Sequence, residues 1–232
     1  MARIFALMTL LVLGMGGFGA MDAAPKAAHN EQPEAPKSYE ELVEIFERYG
    51  ISGADADILS SMGAEYGYPQ FDTTSDRATA MLMLLGWGEY DYDTLTFTPS
   101  RNGVYSFDME VFNVEGMYTE FLTGVSSLDE GELDFRNIRE DTSRVNWDWD
   151  TGVRTATFEW KGEEFTIKAH PQGDWFDMAA ANQLSAIIKE NGNGKRLFFI
   201  EDSQCLIVLY RDKAWAAAFQ KETGLELCEY IH

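Results

Sequence analysis

The sequence predicts an α+β fold, a mostly antiparallel sheet with helices packed on one face, preceded by a small helical segment. The hydrophobic period changes along the chain. Residues 38–88 repeat apolar side chains at helical spacing, whereas after Gly88 apolar and polar side chains alternate, as in half-buried strands. The predicted order from there is β-α-β-β-β-β-α-β-β-α. This is not the strict alternation of a parallel sheet, so we expect antiparallel pairing.

The first 24 residues predict a secretory signal peptide. Arg3 supplies a positive charge, and an apolar run from Ile4 to about Ala20 follows it. This run contains four glycines and falls short of the ~20 apolar residues that span a bilayer, which favours cleavage over an uncleaved anchor. We therefore expect an exported protein that acts in the periplasm, at the cell surface or outside the cell. No membrane association is expected beyond this signal or anchor.

The rest of the chain divides into three parts. Residues 25–37 hold three prolines and no large apolar side chain, which predicts a disordered linker. Residues 38–88 are the helical segment, in which Ser38 forms a capping box with Glu41. Residues 89–232 are the predicted α+β domain.

The elements predicted within these parts follow from periodicity and turn residues. In the helical segment, the second and third helices are predicted over 54–62 and around 76–85. In the α+β domain, one hairpin is predicted from 154–160 and 163–170, joined by Lys161-Gly162. The strands 197–200 and 205–210 are apolar on both faces, which predicts a central position in the sheet.

The two cysteines, Cys205 and Cys228, predict a disulfide. An exported protein reaches an oxidising compartment, and the tail that carries Cys228 follows the last helix and can turn back beside the strand of Cys205. Two buried, unpaired thiols are the alternative, since cysteine is among the most buried residue types.

The charge balance excludes several classes of protein. The chain has 18 Lys and Arg against 39 Asp and Glu, a net charge of −21. A nucleic-acid binder needs a basic face to displace counterions from phosphate, and a peripheral membrane protein needs one for anionic lipid. Neither fits this composition. An acidic surface instead favours encounter with a basic protein.

Residues 146–152 form the sharpest local pattern, in which Asn146, Asp148 and Asp150 present oxygen atoms at alternate positions. Calcium prefers several oxygen ligands, so these residues are candidates for a calcium site, and calcium is the cofactor that the sequence leaves open. The pattern departs from an EF-hand loop, because glycine falls seventh and the twelfth residue, Thr157, is not acidic.

A strand edge is the alternative interpretation of this stretch, with Trp147 and Trp149 packed inward and the acids facing water. Residues 89–93 have the same alternation of acids with aromatic residues. If the two stretches were neighbours in space, they would form an acidic, aromatic surface suited to a cation, a basic protein or a sugar ring.

His170 and Asp174 are the candidates for catalysis. A histidine oriented by a carboxylate is half of a nucleophilic triad, and His170 ends a predicted strand shortly before Asp174 and Asp177. No Gly-x-Ser-x-Gly elbow, His-Glu-x-x-His or Cys-x-x-Cys occurs, which disfavours a serine hydrolase elbow and a zinc site. A polar residue at a strand end is the alternative for His170.

Taken together, these patterns predict an exported, non-enzymatic acidic domain that binds a protein partner or a small ligand. Two alternatives stay open. One is a secreted hydrolase that uses carboxylates or His170 with Asp174. The other is an extracellular module stabilised by calcium.

Overall fold

The computed structural model describes residues 35–57 and 71–231 of the chain. These ranges contain five helices and ten strands. The helices are α1 Tyr39–Arg48, α2 Thr74–Gly86, α3 Met117–Ser126, α4 Met178–Asn191 and α5 Lys213–Thr223. The strands are β1 Glu89–Asp91, β2 Thr96–Thr98, β3 Tyr105–Asp108, β4 Arg136–Asp141, β5 Val145–Asn146, β6 Thr151–Gly152, β7 Arg154–Trp160, β8 Glu163–Ala169, β9 Arg196–Asp202 and β10 Cys205–Arg211. All paired strands among them are antiparallel, and the predicted α+β class is confirmed.

Some predictions fall on residues that the structure does not describe. The predicted signal peptide, residues 25–34 of the predicted linker and residues 58–62 of the second predicted helix lie outside the described ranges. No helix inside those ranges combines the length and the apolar character needed to cross a membrane.

The predicted capping box of α1 is confirmed. The Ser38 hydroxyl accepts a hydrogen bond from the Glu41 backbone N–H at 3.2 Å, and the Glu41 carboxylate accepts one from the Ser38 N–H at 2.7 Å. Two N–H groups that the first turn would leave unpaired are thereby satisfied.

The sheet β3–β10–β9 lies at the centre of the fold, and its two faces contact different cores. Alternate residues of β9 and β10 belong to alternate cores, since successive side chains of a strand point to opposite faces. One core takes Leu197, Phe199, Leu206, Val208 and Tyr210. The other takes Phe198, Ile200, Cys205, Ile207 and Leu209.

Helices cover both faces of this sheet. Residues of α1, α2 and α5 form one core with it, whereas residues of α3, α4 and the second sheet, β4–β7–β8, form the other. The part of the prediction that placed the helices on one face is therefore not confirmed. The reason is that β9 and β10 are apolar on both faces, and each face has to be shielded from water.

The second sheet contains the predicted hairpin. In β7 and β8, Ala156 pairs with Ile167 and Phe158 with Phe165, across a turn in which Lys161 and Gly162 both have positive φ. Positive φ at both central residues is the geometry that matches the twist of a two-residue hairpin.

The predicted disulfide between Cys205 and Cys228 is absent from the structure, in which both residues are free thiols. Cys228 pairs with Phe199 of β9 through two backbone hydrogen bonds of 2.8 and 3.0 Å. Strand β9 therefore lies between Cys228 and β10, which carries Cys205. Two strand spacings are roughly 10 Å, whereas a disulfide tolerates a Cα separation of about 7 Å at most. The C-terminal tail therefore turns back beside β9 and not beside β10, the strand that carries Cys205.

Two glycines allow α2 and α3 to approach β3 from opposite sides. A Cβ atom at Gly86 of α2 would lie 2.6 Å from the Ser106 backbone nitrogen, and one at Gly124 of α3 would overlap the Tyr105 ring. Tyr105 and Ser106 are successive residues of β3 and point to opposite faces. The close packing of α2 and α3 against β3 therefore requires a residue without a Cβ atom at each of these two positions.

We expect Gly124→Ala to lower the free energy of unfolding by about 1–3 kcal/mol, because overpacking outweighs the gain in helix propensity. Urea denaturation measures the change. Gly131→Ala is the matched control, since the nearest atom to its Cβ would be a carboxylate oxygen of Asp129 at 3.6 Å. An equal effect of both substitutions would contradict this account of the α3–β3 contact.

Candidate functional site

A buried arginine underlies the loops at one end of the fold. The side chains of Arg154 in β7 and Glu140 in β4 are 1% and 5% exposed, and Arg154 Nε donates to Glu140 Oε1 at 2.9 Å. Its Nη2 contacts the same oxygen and the Val114 carbonyl. The guanidinium lies over the rings of Tyr118 and Trp147, at 5.0 and 5.4 Å from their centroids.

The second oxygen of Glu140 caps α3. Glu140 Oε2 accepts hydrogen bonds from the N–H groups of Tyr118 and Thr119, at 3.0 and 3.3 Å. The residue at the N-cap position, Gly116, has no side chain to do this. A carboxylate at a helix N-terminus is favoured by the helix dipole and satisfies unpaired N–H groups. The pair of Arg154 and Glu140 therefore joins β4, β7, the start of α3 and the loop that carries Trp147.

Several large aromatic side chains above this pair are exposed to solvent. Trp149 is 77% exposed, Phe112 67% and Tyr92 63%. Trp147 and Trp175 are exposed to 44% and 40%. These residues lie in four segments, 89–93, 110–115, 147–150 and 172–175, which we call the acid–aromatic surface.

Phe112 joins the first two of these segments. Its ring contacts those of Tyr90 and Tyr92 edge-on, with centroid distances of 6.1 and 5.3 Å. The two tyrosine rings also contact each other, at 5.0 Å. The β1–β2 hairpin and the residues that follow β3 are thereby in contact through aromatic rings.

Backbone pairing joins the remaining segments. Glu110 and Trp175 form an antiparallel bridge, and the Val111 N–H donates to the Asp174 carbonyl at 2.7 Å. Gly173, the residue before Asp174, lies in a turn and has a positive φ. The Gly173 N–H in turn donates to Asp150 Oδ1 at 3.2 Å. The acid–aromatic stretches at 89–93 and 146–152, predicted separately, thus belong to one surface.

The charge of this surface is uniformly negative. Its four segments contain eight acidic side chains and no lysine, arginine or histidine, and the acids are Glu89, Asp91, Asp93, Glu110, Glu115, Asp148, Asp150 and Asp174. All eight are exposed. The guanidinium of Arg154, which contacts Trp147 of this surface, is buried and paired with Glu140. The surface therefore offers aromatic faces surrounded by carboxylates.

The candidate calcium ligands hold their own loop together. Asn146 Oδ1 accepts a hydrogen bond from the Asp148 N–H at 3.1 Å, and Asp150 binds the Gly173 N–H. Among residues 35–57 and 71–231, no group of three or more His, Cys, Asp or Glu side chains is arranged to hold a metal ion. The calcium hypothesis gains no supporting geometry from these residues.

The alternative interpretation of this stretch is wrong in one respect, since Trp147 and Trp149 do not pack inward. The strands β5 and β6 have two residues each and form a separate hairpin at the rim of the fold. Such a hairpin has no inward face, so Trp147 covers Arg154 instead and Trp149 extends into solvent.

The structure does not bring His170 and Asp174 together as a catalytic pair. His170 is exposed at the end of β8, and its backbone N–H donates to Asp177 Oδ2 at 2.8 Å. The contact described for Asp174 is made by its backbone carbonyl. Asp177 caps α4 by accepting from the Ala179 N–H. The neighbourhood that suggested half of a triad is therefore a backbone arrangement at a strand end.

A cavity of about 290 Å³ lies elsewhere, between Glu132, Trp160, Asn193 and Tyr210. Its polar groups are already paired. The Tyr210 hydroxyl donates to Glu132 Oε2 at 3.1 Å, and Lys195 Nζ binds Glu132 Oε1 at 3.1 Å. This network contacts neither His170 nor the acid–aromatic surface.

Phe112 and Trp175 were not predicted from the sequence to lie on this surface. The exposure of Phe112 is indicated by the sequence, because Phe112 breaks the alternation in which Tyr105, Phe107, Met109 and Val111 point inward. The exposure of Trp175 is not indicated, since it depends on a pairing with Glu110, a residue distant in the chain.

No protein-family model, curated protein or solved structure matches the chain.

We expect Arg154→Met to lower the free energy of unfolding by about 3–5 kcal/mol, because it leaves the Glu140 carboxylate buried without its partner. Denaturant titration provides the measurement. Arg139→Met is the matched control, since Arg139 pairs with Glu164 at 2.7 Å but both side chains are more than half exposed. That change should cost at most about 1 kcal/mol. Similar losses for both variants would show that burial of the Arg154 pair is not decisive.

The stability of the fold should also depend on the charge of Glu120 in α3, beside the acid–aromatic surface. Glu120 is partly buried and accepts a hydrogen bond from Asn113 Nδ2 at 2.7 Å. Burial is the largest cause of its raised pKa, the nearby charge of Glu140 adds to it, and the bond from Asn113 opposes it.

The folded state binds the carboxyl proton of Glu120 more tightly than the unfolded chain does. The ionised carboxylate therefore destabilises the fold at pH values above its folded pKa, and this destabilisation disappears as the pH falls through that value. Glu120→Gln should therefore gain stability relative to the native chain at pH 7 and lose that advantage toward pH 4. Unfolding titrations across this range measure the difference, with Glu115→Gln, an exposed neighbour, as control. A difference that is constant with pH would refute the assignment.

Proposed function

We propose that this chain is an exported, non-enzymatic binding domain, and that the acid–aromatic surface binds a basic protein partner. One observation supports the proposal above all, namely that five exposed aromatic side chains lie in four segments that contain eight carboxylates and no lysine, arginine or histidine. Export is the prediction from residues 1–24, which lie outside the described residues.

The exposure of these rings favours a role in binding. Large aromatic side chains contribute most to stability when they are buried, and exposed apolar patches mark interaction sites in soluble proteins. Tryptophan and tyrosine are also enriched among the residues that dominate binding energy at interfaces. The exposed rings of Phe112, Tyr92 and Trp149 therefore have the composition of an interface centre.

Charge determines the kind of partner. A second copy of this chain would bring another acidic surface against the first, and the repulsion would oppose self-association. A basic protein instead gains from the net charge of −21, which accelerates encounter. The carboxylates around the rings form the polar rim that interfaces typically have.

The surface is held in place before any partner arrives. Asp91 Oδ1 accepts hydrogen bonds from the Asp93 and Thr94 N–H groups at 2.9 and 3.2 Å, which fixes the β1–β2 turn. The contacts of Asp150 with Gly173 and of Trp147 with Arg154 fix the loop at 147–150. A pre-formed surface avoids part of the ordering cost of association.

A nona-lysine peptide tests the proposal by isothermal titration calorimetry. We expect Asp148→Asn/Asp174→Asn to weaken binding several-fold, because both carboxylates lie on the surface and neither side chain holds the fold together. Affinity should also fall steeply between 50 and 500 mM NaCl, as expected for exposed charges.

Glu44→Gln/Glu47→Gln is the matched control, since it removes the same charge from exposed positions on α1. That helix packs on the other face of the central sheet. If the two double variants lost the same affinity, binding would follow the overall charge and the acid–aromatic surface would not be the site.

A further inference from the structure

We infer that the acid–aromatic surface selects arginine over lysine in its partner. This inference rests on the proposed function and specifies the chemistry of the same surface. It follows from the alternation of exposed rings with carboxylates, and from which of these rings no arginine among the described residues covers.

Each free ring has a carboxylate beside it. Tyr92 lies between Asp91 and Asp93 in the chain, and its ring contacts that of Phe112. Trp175 follows Asp174 in the chain and pairs with Glu110 across the bridge. Trp149 lies between Asp148 and Asp150.

A guanidinium can use both groups at once. Its planar face stacks on an aromatic ring while its edge donates two parallel hydrogen bonds to a carboxylate. The ammonium of lysine is a compact, strongly hydrated charge that cannot stack and makes no such fork. Carboxylates alone distinguish the two residues only through this fork, whereas rings beside the carboxylates add stacking and increase the discrimination.

Arg154 and Arg48 are each held in this manner within the fold, over an aromatic ring and paired with a carboxylate. The guanidinium of Arg154 lies over the Tyr118 and Trp147 rings while it donates to Glu140. Trp147 is occupied by that contact, which leaves Tyr92, Phe112, Trp149 and Trp175 as the rings available to a partner.

A pair of peptides, nona-arginine and nona-lysine, tests the inference by calorimetry at 150 mM NaCl. We expect the arginine peptide to bind about tenfold more tightly, as stacking on two or so exposed rings predicts. Phe112→Leu/Trp149→Leu should bring the ratio of the two affinities toward one and leave the affinity for nona-lysine nearly unchanged.

Tyr230→Leu is the control, because Tyr230 is 42% exposed on the C-terminal segment, beside Lys189 and outside the surface. It should preserve the ratio. If the double variant fails to fold, Trp149→Leu alone provides the same test, since this ring is the most exposed of the four.

The outcomes separate the two proposals. Equal affinities of the native protein for both peptides would overturn the selectivity and leave a basic partner in place. A preference for arginine that survives loss of the rings would also overturn it, because the rings would then not be its cause. Absence of binding by both peptides would overturn the proposed function as well.

Discussion

The buried contact between Arg154 and Glu140 is the interaction on which the functional end of this protein depends. One carboxylate oxygen binds the guanidinium while the other caps α3, so a single residue of β4 joins two elements. Arg154 extends the connection to the Val114 carbonyl and the Trp147 ring. A charge pair of this kind has a large desolvation cost, and it stabilises the fold only because nearly every hydrogen-bonding group in it has a partner.

The acid–aromatic surface combines features that normally occur apart. Aromatic side chains favour the core, and acidic side chains favour water, yet here the rings of Phe112 and Trp149 are exposed among carboxylates. Short segments make this possible. The hairpin β5–β6 and the bridge between Glu110 and Trp175 are too short to bury their rings against a sheet, while their backbone hydrogen bonds still hold them in position.

The sequence predicted those features that depend on residues close together in the chain. The capping box of Ser38 and Glu41 and the turn at Lys161-Gly162 each need only a few adjacent residues, and both were predicted. The face covered by the helices and the position of Cys228 were not, because they depend on which edge of a strand a distant segment joins. Similarly, 89–93 and 146–152 share a pattern that is visible in the sequence. Their connection depends on contacts between distant segments, namely Tyr92 with Phe112, Glu110 with Trp175 and Asp150 with Gly173.

The antiparallel pairing of β3 with β10 also affects when the fold can form. It joins Asp108 to Cys205 and Tyr105 to Val208, residues about a hundred positions apart. Contacts so distant in the chain are slow to form, because a long loop has to close before they contribute any stability. We therefore expect β3 to join the sheet after the local β9–β10 hairpin has formed. If the chain is exported as proposed, a late closure of both cores would keep it unfolded while it is threaded through a narrow channel.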